Sequence, residues 1–252
     1  INDTPLTQKI DTLKALSRVR MAGEIVDATG NRLSSYSGDL SATVYDKYVN
    51  RQTLGNDGTR NAAGELLILD FKSLGAVLYR GQASVQNGVF NFEFVVPKDA
   101  SIPIGNGRVN FYSKRTGIFE DHAGEDQRIL VGGLNEDAPE DNEGPLINLY
   151  MNDEGFVNGG ITNTSPTLLV KLEDENGINT ASGIGHDLIA IVDGDEENPI
   201  ILNDFYESDI DNFNIGKALR KLRDLEPGMH VVTVIAWDTY NNSSTADLQF
   251  IV

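Results

Sequence analysis

Residues 76–97 read AVLYRGQASVQNGVFNFEFVVP, and this stretch decides the fold class because it carries a complete hairpin signal. Apolar and polar residues alternate on both sides of its centre, as the side chains of a strand do. The central pair, Asn87-Gly88, tolerates the positive φ angles of a tight turn, and Pro97 ends the second run. We therefore predict antiparallel strands over residues 77–85 and 89–96. In the first strand Val77, Tyr79, Ala83 and Val85 are predicted to share one face and Leu78, Arg80, Gln82 and Ser84 the other, and in the second strand Phe90, Phe92 and Phe94 are predicted to face inward.

Runs of strand character recur along the whole chain, separated by turn residues. They are RVRMAGEIVD, SATVYD, GRVNFYSK and QRILVGG in the first half, and PLINLYM, PTLLVKLED, DLIAIVDG, NPIILND, MHVVTVIAWD and STADLQFIV in the second. The segment NIGKALRKLRDL, residues 214–225, has leucines at a helix-like spacing, but the Pro-Gly turn that follows favours a short strand or a turn, with a one-turn helix as the alternative. Short strands without a long helix are typical of β-sandwiches.

The segment NEDAPEDNEGP, residues 135–145, separates the two sets of strands. It contains five acidic residues, two prolines and no large apolar residue, a composition typical of a linker. We therefore predict an all-β chain of two tandem immunoglobulin-like β-sandwich domains. The first covers residues 1–141 and includes an N-terminal lead-in segment, and the second covers residues 142–252.

The composition excludes several classes of function. The 252 residues include no cysteine and carry a formal net charge of −18. Without cysteine the chain has no disulfide, no thiolate metal site and no cysteine nucleophile. The acidic charge disfavours binding to nucleic acids or to anionic membranes. No apolar run approaches the roughly 20 residues that span a bilayer, so we predict no transmembrane segment and no nucleic-acid partner.

Catalytic signatures are also missing. The three histidines are His122 in an acidic loop, His186 near the start of a strand and His230 at the start of MHVVTVIAW. None accompanies a Gly-x-Ser-x-Gly elbow, and neither a Walker loop nor a dinucleotide fingerprint is present. We predict structural or solvent-exposed histidines and no catalytic residue. An enzyme with two catalytic carboxylates in one deep pocket remains an alternative, since sequence does not reveal such a pair.

Residues 171–194, KLEDENGINTASGIGHDLIAIVDG, resemble part of a calcium loop. An EF-hand would need a third ligand at position 178 and a glutamate at position 185, but these are isoleucine and glycine. We favour a strand, a turn at residues 175–177 and a second strand closed by Asp193-Gly194. We predict no high-affinity metal site and no cofactor. A calcium site built from several loops would use the oxygens of Asp174, Asn176, Asp193 and Asp238.

Four longer motifs resemble a known family. They are YRGQASVQNGVFNFEFVVPKD, GNGRVNFYSK, GPLINLYMND and VIAWDTYNNSS. Together they are similar to the region that follows the catalytic domain in the gingipain-like C-terminal signal peptidases, or sortases, of the type IX secretion system. The last motif also resembles the end of many bacterial immunoglobulin-like domains, where Asp-x-x-Asn follows a strand.

The resemblance implies a place in a larger enzyme. The family removes a C-terminal sorting domain from secreted cargo with a Cys/His centre that lies in an upstream domain, so no catalytic residue is expected here. The implied partners are that upstream peptidase domain and an outer-membrane β-barrel shuttle of the secretion complex. The implied location is the extracellular face of the outer membrane of a Gram-negative bacterium, and the implied role is structural.

Two further expectations concern surfaces. As the alternative function, a glycan-binding sandwich module would need exposed aromatics on one face; the candidates are Tyr45, Tyr48, Tyr112, Tyr150 and Tyr206. The lead-in segment INDTPLTQKIDTLKALS is predicted to dock on the upstream domain, because it carries apolar residues that need a cover. These are Ile1, Leu6, Ile10, Leu13 and Leu16, which would otherwise pack on their own sandwich.

Overall fold

The computed structural model describes residues 1–5, 12–182 and 185–252, and these are almost entirely strand and loop. The strands of the first half are β1 (Leu13–Ala15), β2 (Arg18–Glu24), β3 (Gly38–Tyr45), β4 (Val49–Gln52), β5 (Asp70–Ser73), β6 (Val77–Gln86), β7 (Val89–Val95), β8 (Gly105–Asn106), β9 (Arg108–Arg115), β10 (Asp121–Asp126) and β11 (Leu130–Leu134). Those of the second half are β12 (Leu146–Met151), β13 (Thr167–Glu173), β14 (Ile189–Val192), β15 (Ile200–Ile201), β16 (Tyr206–Asp209), β17 (Asn212–Lys221), β18 (Met229–Trp237) and β19 (Ser243–Ile251).

The all-β prediction is confirmed. In the described part of the chain the one helical element is a 3-10 turn over Asn203–Phe205. Residues 214–221 of the ambiguous segment belong to strand β17, as favoured from the Pro-Gly turn, and residues 222–225 follow it without regular structure. One loop assignment is wrong, because His122 lies in β10, an edge strand that pairs antiparallel with β9. Its polar sequence DHAGED has no apolar alternation, so periodicity could not reveal it.

The central hairpin forms at its turn, but the predicted pairing along both strands does not, because β6 goes on to pair with β3 and β7 with β2. Strands β6 and β7 pair with Val85 opposite Phe90 and Gln86 opposite Val89. The turn residues Asn87 and Gly88 have φ angles of 54° and 73°, the combination that a two-residue hairpin turn requires. The three phenylalanines of β7 are buried, which confirms the predicted inward face.

One sheet runs through both halves of the chain. Its strand order is β10-β9-β3-β6-β16-β17-β13-β12, and β7 links β6 to β2 off this path. The join between the halves is the parallel pairing of β6 with β16, which places Gly81 opposite Ser208. A second sheet of the C-terminal half, β15-β14-β18-β19, supplies the other layer of a sandwich.

Two hydrophobic cores lie on either side of this join. The first is built around Tyr36, Leu40, Phe92 and Phe94, and the second around Leu168, Leu172, Val234 and Phe250. Three residues from the C-terminal half belong to the first core: Ala181, Phe213 and Tyr240. The predicted domain limits at 1–141 and 142–252 stay a prediction, and the halves share this buried contact.

The described residues of the lead-in segment pack on their own sandwich. Leu13 is 2% exposed in the first core, where β1 pairs parallel with β11. Ile1 and Leu16 are partly buried against the same core. Leu6 and Ile10 lie outside the described residues. Apolarity at positions 1, 13 and 16 is therefore explained by internal packing and gives no reason to expect docking there.

A two-stranded arm projects from the first sandwich and was not predicted. We call residues 48–74, which contain the antiparallel strands β4 and β5, the β4–β5 arm. Every residue from 48 to 72 except Gly55 is exposed. The root of the arm is fixed by Asp46, which is 6% exposed and accepts hydrogen bonds from Lys47 Nζ at 2.5 Å and from the Ser101 amide at 2.9 Å.

Among the described residues, no helix has the length and apolar character needed to cross a membrane.

Candidate functional site

The candidate site lies at the junction of the two sandwiches, where loops of the second half meet β6 and the end of β7. Gly81 is required at the join, because a Cβ atom there would lie 2.1 Å from Tyr79 Oη and 3.0 Å from Ser208 Cβ. Beside it, Gln82 Nε2 donates to Glu207 Oε2 at 2.7 Å, and the Ser84 amide donates to Asp211 Oδ1 at 2.8 Å. The two halves are thus joined by backbone and side-chain hydrogen bonds.

The loop of residues 238–242, within the motif VIAWDTYNNSS, shapes the junction. Asp238 is fully buried, and its carboxylate accepts hydrogen bonds from the amides of Tyr240 and Asn242 and from the Asn242 side chain. Asn241 has a φ of 71°, which turns its side chain towards the first sandwich. Thr239 continues the connection, because its carbonyl accepts from the Lys98 amide at 2.8 Å. Asp238 thus caps its own turn through Tyr240 and Asn242, while Asn241, the last residue of the Asp-x-x-Asn spacing, is left to contact the first sandwich.

One face of this loop belongs to an acidic cluster. Asp141, Asp174 and Asp238 each offer a carboxylate oxygen, and these atoms lie within 4.8 Å of one another. The pKa of Asp174 is raised to about 7, mainly by burial and also by the neighbouring carboxylates of Asp238 and Asp141. Burial also raises the pKa of Asp238. The cluster therefore holds a proton near neutral pH, because adjacent buried carboxylates cannot all ionise cheaply.

The calcium candidates are only partly brought together. Asp174 and Asp238 meet in the cluster, and Asn176 lies beside it, with its Nδ2 donating to Asp141 Oδ2 at 2.7 Å. Asp193 is engaged elsewhere, since its carboxylate contacts His230 Nδ1 at 2.7 Å. Asn176 thus presents a donor to the cluster, where calcium would need an oxygen. The prediction that no high-affinity metal site exists stays a prediction.

A second polar network lies on the other face of the same loop. Asp99, which follows β7, accepts hydrogen bonds from Asn241 at 2.8 Å and from Asn179 at 2.9 Å. His186 Nδ1 lies 2.8 Å from the same carboxylate. Burial opposes the charge of Asp99, yet the hydrogen bonds from Asn241, His186 and Asn179 leave its pKa below the ordinary value. An ionised Asp99 therefore bridges the two sandwiches.

The other two histidines have structural contacts. His122 lies 3.1 Å from Glu120 Oε1 and packs edge-on against Tyr36. His230 contacts Asp193 and the carbonyl of Glu226 at 2.7 Å, and these contacts raise its pKa. Each histidine is thus held by a carboxylate.

A separate open cavity of about 700 Å³ lies in the first sandwich, lined by residues of β2, β9 and β10. Its floor includes Phe90 and Phe111, and acidic groups stand at its rim. One of them, Asp126, is paired with Arg128, and the hydrogen bond from that guanidinium lowers the pKa of Asp126. A carboxylic general acid needs the opposite shift, so Asp126 is not suited to that role.

The tyrosines proposed for glycan binding differ in exposure. Tyr48 and Tyr112 are exposed, at 41% and 40%, whereas Tyr45 and Tyr150 are half-buried. Tyr206 is 1% exposed in the second core, so its inclusion among the surface aromatics was wrong. Its strand β16 is covered on that face by the second core.

Sequence reasoning missed three residues of the junction. Asp141 was placed in the linker, where an acidic composition suggested only solvation, and Asp99 and Asn241 were not singled out. The available signal was the motif VIAWDTYNNSS, which contains residues 238–242. It did not identify Asp99 or Asp141 as the residues that this loop contacts. Asp99 and Asp141 come from distant parts of the chain, and spacing carries no information on such contacts.

Comparisons with known proteins find matches among solved structures. No family model matches the chain, and no curated protein matches it. Among solved structures, the crystal structure of dimeric latent PorU from Porphyromonas gingivalis matches with a TM-score of 0.54 and 30% sequence identity. The match covers 100% of this chain but 23% of the PorU chain. The chain is therefore similar, over its whole length, to a β-rich region of PorU.

Proposed function

We propose that this chain is a non-catalytic accessory region of a gingipain-like cysteine peptidase that processes the C-terminal sorting domains of secreted cargo. In this proposal it follows the peptidase domain, buttresses it and spaces it from an outer-membrane shuttle partner on the extracellular face of the outer membrane. The two sandwiches, residues 1–141 and 142–252, form the spacer. The similarity of the whole of this chain to a region of PorU supports the assignment to such a protein.

The observation that carries the structural role is the bridged junction. A spacer fixes the distance between its two ends only if its domains keep a constant orientation. Domains joined by a linker alone are expected to move relative to each other. Here the Asp99 network and the pairing of β6 with β16 connect the halves in addition to the linker. The linker is also held, because the Asp141 carbonyl accepts a hydrogen bond from Asn242 Nδ2 at 3.2 Å.

The test has two arms. The purified chain, incubated with a substrate that carries a sorting domain, should release no product, and turnover that a point substitution in this chain abolishes would contradict the proposal. In the full-length peptidase, Asp99→Ala should impair cargo processing at the cell surface while the protein level is maintained. Asp195→Ala, in an exposed turn of the second sandwich, is the matched control. Normal processing by an Asp99→Ala enzyme whose junction is loosened would show that a stiff spacer is not required.

A further inference from the structure

The second sandwich has a basic cavity at the end of β17. The stretch KALRKLR, residues 217–223, contains four of the chain's 20 lysines and arginines. An open cavity of about 310 Å³ is lined by three of them, Arg220, Lys221 and Arg223, and by the aliphatic side chains of Val192, Ile200, Leu222 and Leu225. No acidic residue of the described chain lines it. The cavity is therefore a positive site on a protein whose net charge is −18.

Arg220 lies on the inner face of its strand. Side chains alternate along β17, and those of Ala218 and Leu222, on either side of Arg220, are buried in the second core. Arg220 itself is half-buried, and its guanidinium carbon lies 4.5 Å from the centre of the Phe205 ring. A guanidinium that stacks on an aromatic ring keeps the N–H donors in its own plane free. Arg220 is therefore held in place with donors that an anion can accept.

The three cations have no carboxylate partner within the described residues. None of the ion pairs found there involves Arg220, Lys221 or Arg223. The acidic turn after β14 is close to the cavity in sequence, but the carboxylate of its first residue, Asp193, contacts His230 Nδ1 at 2.7 Å. Because like charges repel, the three cations are stabilised when an anion binds between them.

The backbone on both sides of the cavity is fixed by hydrogen bonds. The Leu222 amide donates to the Pro166 carbonyl at 2.8 Å, and the Leu225 amide donates to the Thr164 carbonyl at 2.9 Å. On the opposite wall Val192 ends β14, which pairs with both β15 and β18. The walls are thus formed before any ligand binds, which reduces the entropy lost on binding.

From this arrangement we infer that the cavity binds a phosphate monoester with a short aliphatic chain. A phosphate monoester carries about −1.5 to −2 charges at pH 7, which suits three cations, and the planar forks of Arg220 and Arg223 match its oxygens. The aliphatic walls contact the chain. A volume of about 310 Å³ is at the small end of the range for ligand pockets, so it has room for one short chain and not for the paired chains of a membrane lipid.

The inference is independent of the proposed accessory role. Strand β17 is joined to the first sandwich near its start, where Gly216 is opposite Ser208 and Ser208 is opposite Gly81. The cavity lies at the other end of the strand, beyond Lys221. A ligand there does not touch the Asp99 network, so the spacer role and the ligand site can fail separately.

Calorimetric titration of the full 252-residue chain tests the ligand class. Hexyl phosphate should bind stoichiometrically, and ethyl phosphate should bind more weakly, by up to about fourfold for each methylene that the walls no longer bury. Hexanol, which lacks the phosphate, should not bind detectably. Absence of binding at millimolar hexyl phosphate, or equal affinity for the two phosphates, would overturn the inference. Binding to phosphatidic acid vesicles without binding to hexyl phosphate would contradict the short-chain assignment.

Substitutions test the cations and the walls separately. Arg220→Met and Arg223→Met keep an apolar stem but remove a charge, and each should weaken both phosphates by about tenfold or more. Lys217→Met, which removes a charge from the outer face of the same strand, is the matched control and should leave both affinities unchanged. Val192→Thr, similar in shape but polar, should weaken hexyl phosphate and spare ethyl phosphate.

Thermal unfolding shows which of these variants are folded. If Arg220→Met does not fold, the exposed Arg223→Met decides the role of the cations. Unchanged affinity in the folded arginine variants, or an equal loss in Lys217→Met, would overturn the inference. Equal weakening of both phosphates by Val192→Thr would contradict the contact between the wall and the chain.

Discussion

Asp99 Oδ1 accepts a 2.8 Å hydrogen bond from Asn241 Nδ2, although the two residues stand 142 positions apart in the chain. Asp99 lies in the turn that follows β7 in the first sandwich, and Asn241 belongs to the self-capped turn after β18. The contact therefore connects the turn after β18 in the second sandwich directly to the first sandwich. Its strength depends on the charge of one carboxylate.

Asp99→Ala should destabilise the chain by about 1–3 kcal/mol, because it removes the acceptor of several hydrogen bonds and leaves half-buried donors without a partner. Denaturant unfolding at pH 7 measures the effect, with Asp195→Ala as the exposed control. Since the folded pKa of Asp99 is lowered, its contribution is present above the unfolded pKa and is lost as pH falls through the folded value. Equal stability of both variants at pH 7 would refute the bridging role.

Asp174→Asn should change the pH dependence of stability. The unfolded chain releases the Asp174 proton near 3.8, whereas the folded chain retains it up to about 7. Between these values the folded state binds more protons, so the free energy of unfolding of the native chain falls as pH rises. The asparagine variant, neutral at all pH values, should lack this slope and be more stable at pH 8 by about 1 kcal/mol or more. An unchanged slope from pH 4 to 7 would contradict the assignment.

Calcium should add little stability. A site with micromolar affinity for the folded state alone would contribute about 4 kcal/mol at millimolar calcium. The Asp238 oxygens already accept three hydrogen bonds, and Asn176 presents a donor to Asp141, so a cation would have to displace these donors. Calorimetric titration should detect no stoichiometric binding. If a stoichiometric site appears, substitution of Asp141, Asp174 or Asp238 would identify it.

Gly88→Val should destabilise the chain by about 1–3 kcal/mol. Gly88 has a positive φ, and a Cβ atom there would lie 2.5 Å from the Leu33 carbonyl oxygen. Gly124 offers a matched control, because its φ is not in the positive range and no atom lies within 4 Å of an added Cβ. Thermal unfolding of Gly88→Val and Gly124→Val compares the two directly. A similar melting temperature for both would argue against turn strain.

Much of the fold could be predicted from short sequence patterns. The strands that were missed lack such patterns, and the missed contacts join distant parts of the chain. The central hairpin follows from alternation and from Asn87-Gly88, both contained in one short stretch. Strand β10 and the β4–β5 arm escaped notice because their exposed faces impose no apolar alternation. The acidic cluster was only partly predicted. The position of Asp141 depends on a contact between its linker and Asn242, which the sequence does not reveal. Asp174 and Asp238 were predicted as oxygen donors of a calcium site built from several loops, yet their approach to each other depends on long-range topology.

The burial of Ala181, Phe213 and Tyr240 in the first core has a consequence for the order of folding. The first sandwich cannot complete its hydrophobic interior until residues near the C-terminal end of the chain have arrived. Contacts so distant in sequence slow folding, because a long loop must close before burial repays its entropy. A chain cut after residue 141 would lack these three side chains of its core. Completion of the first core therefore waits until the segments around residues 181, 213 and 240 have reached it.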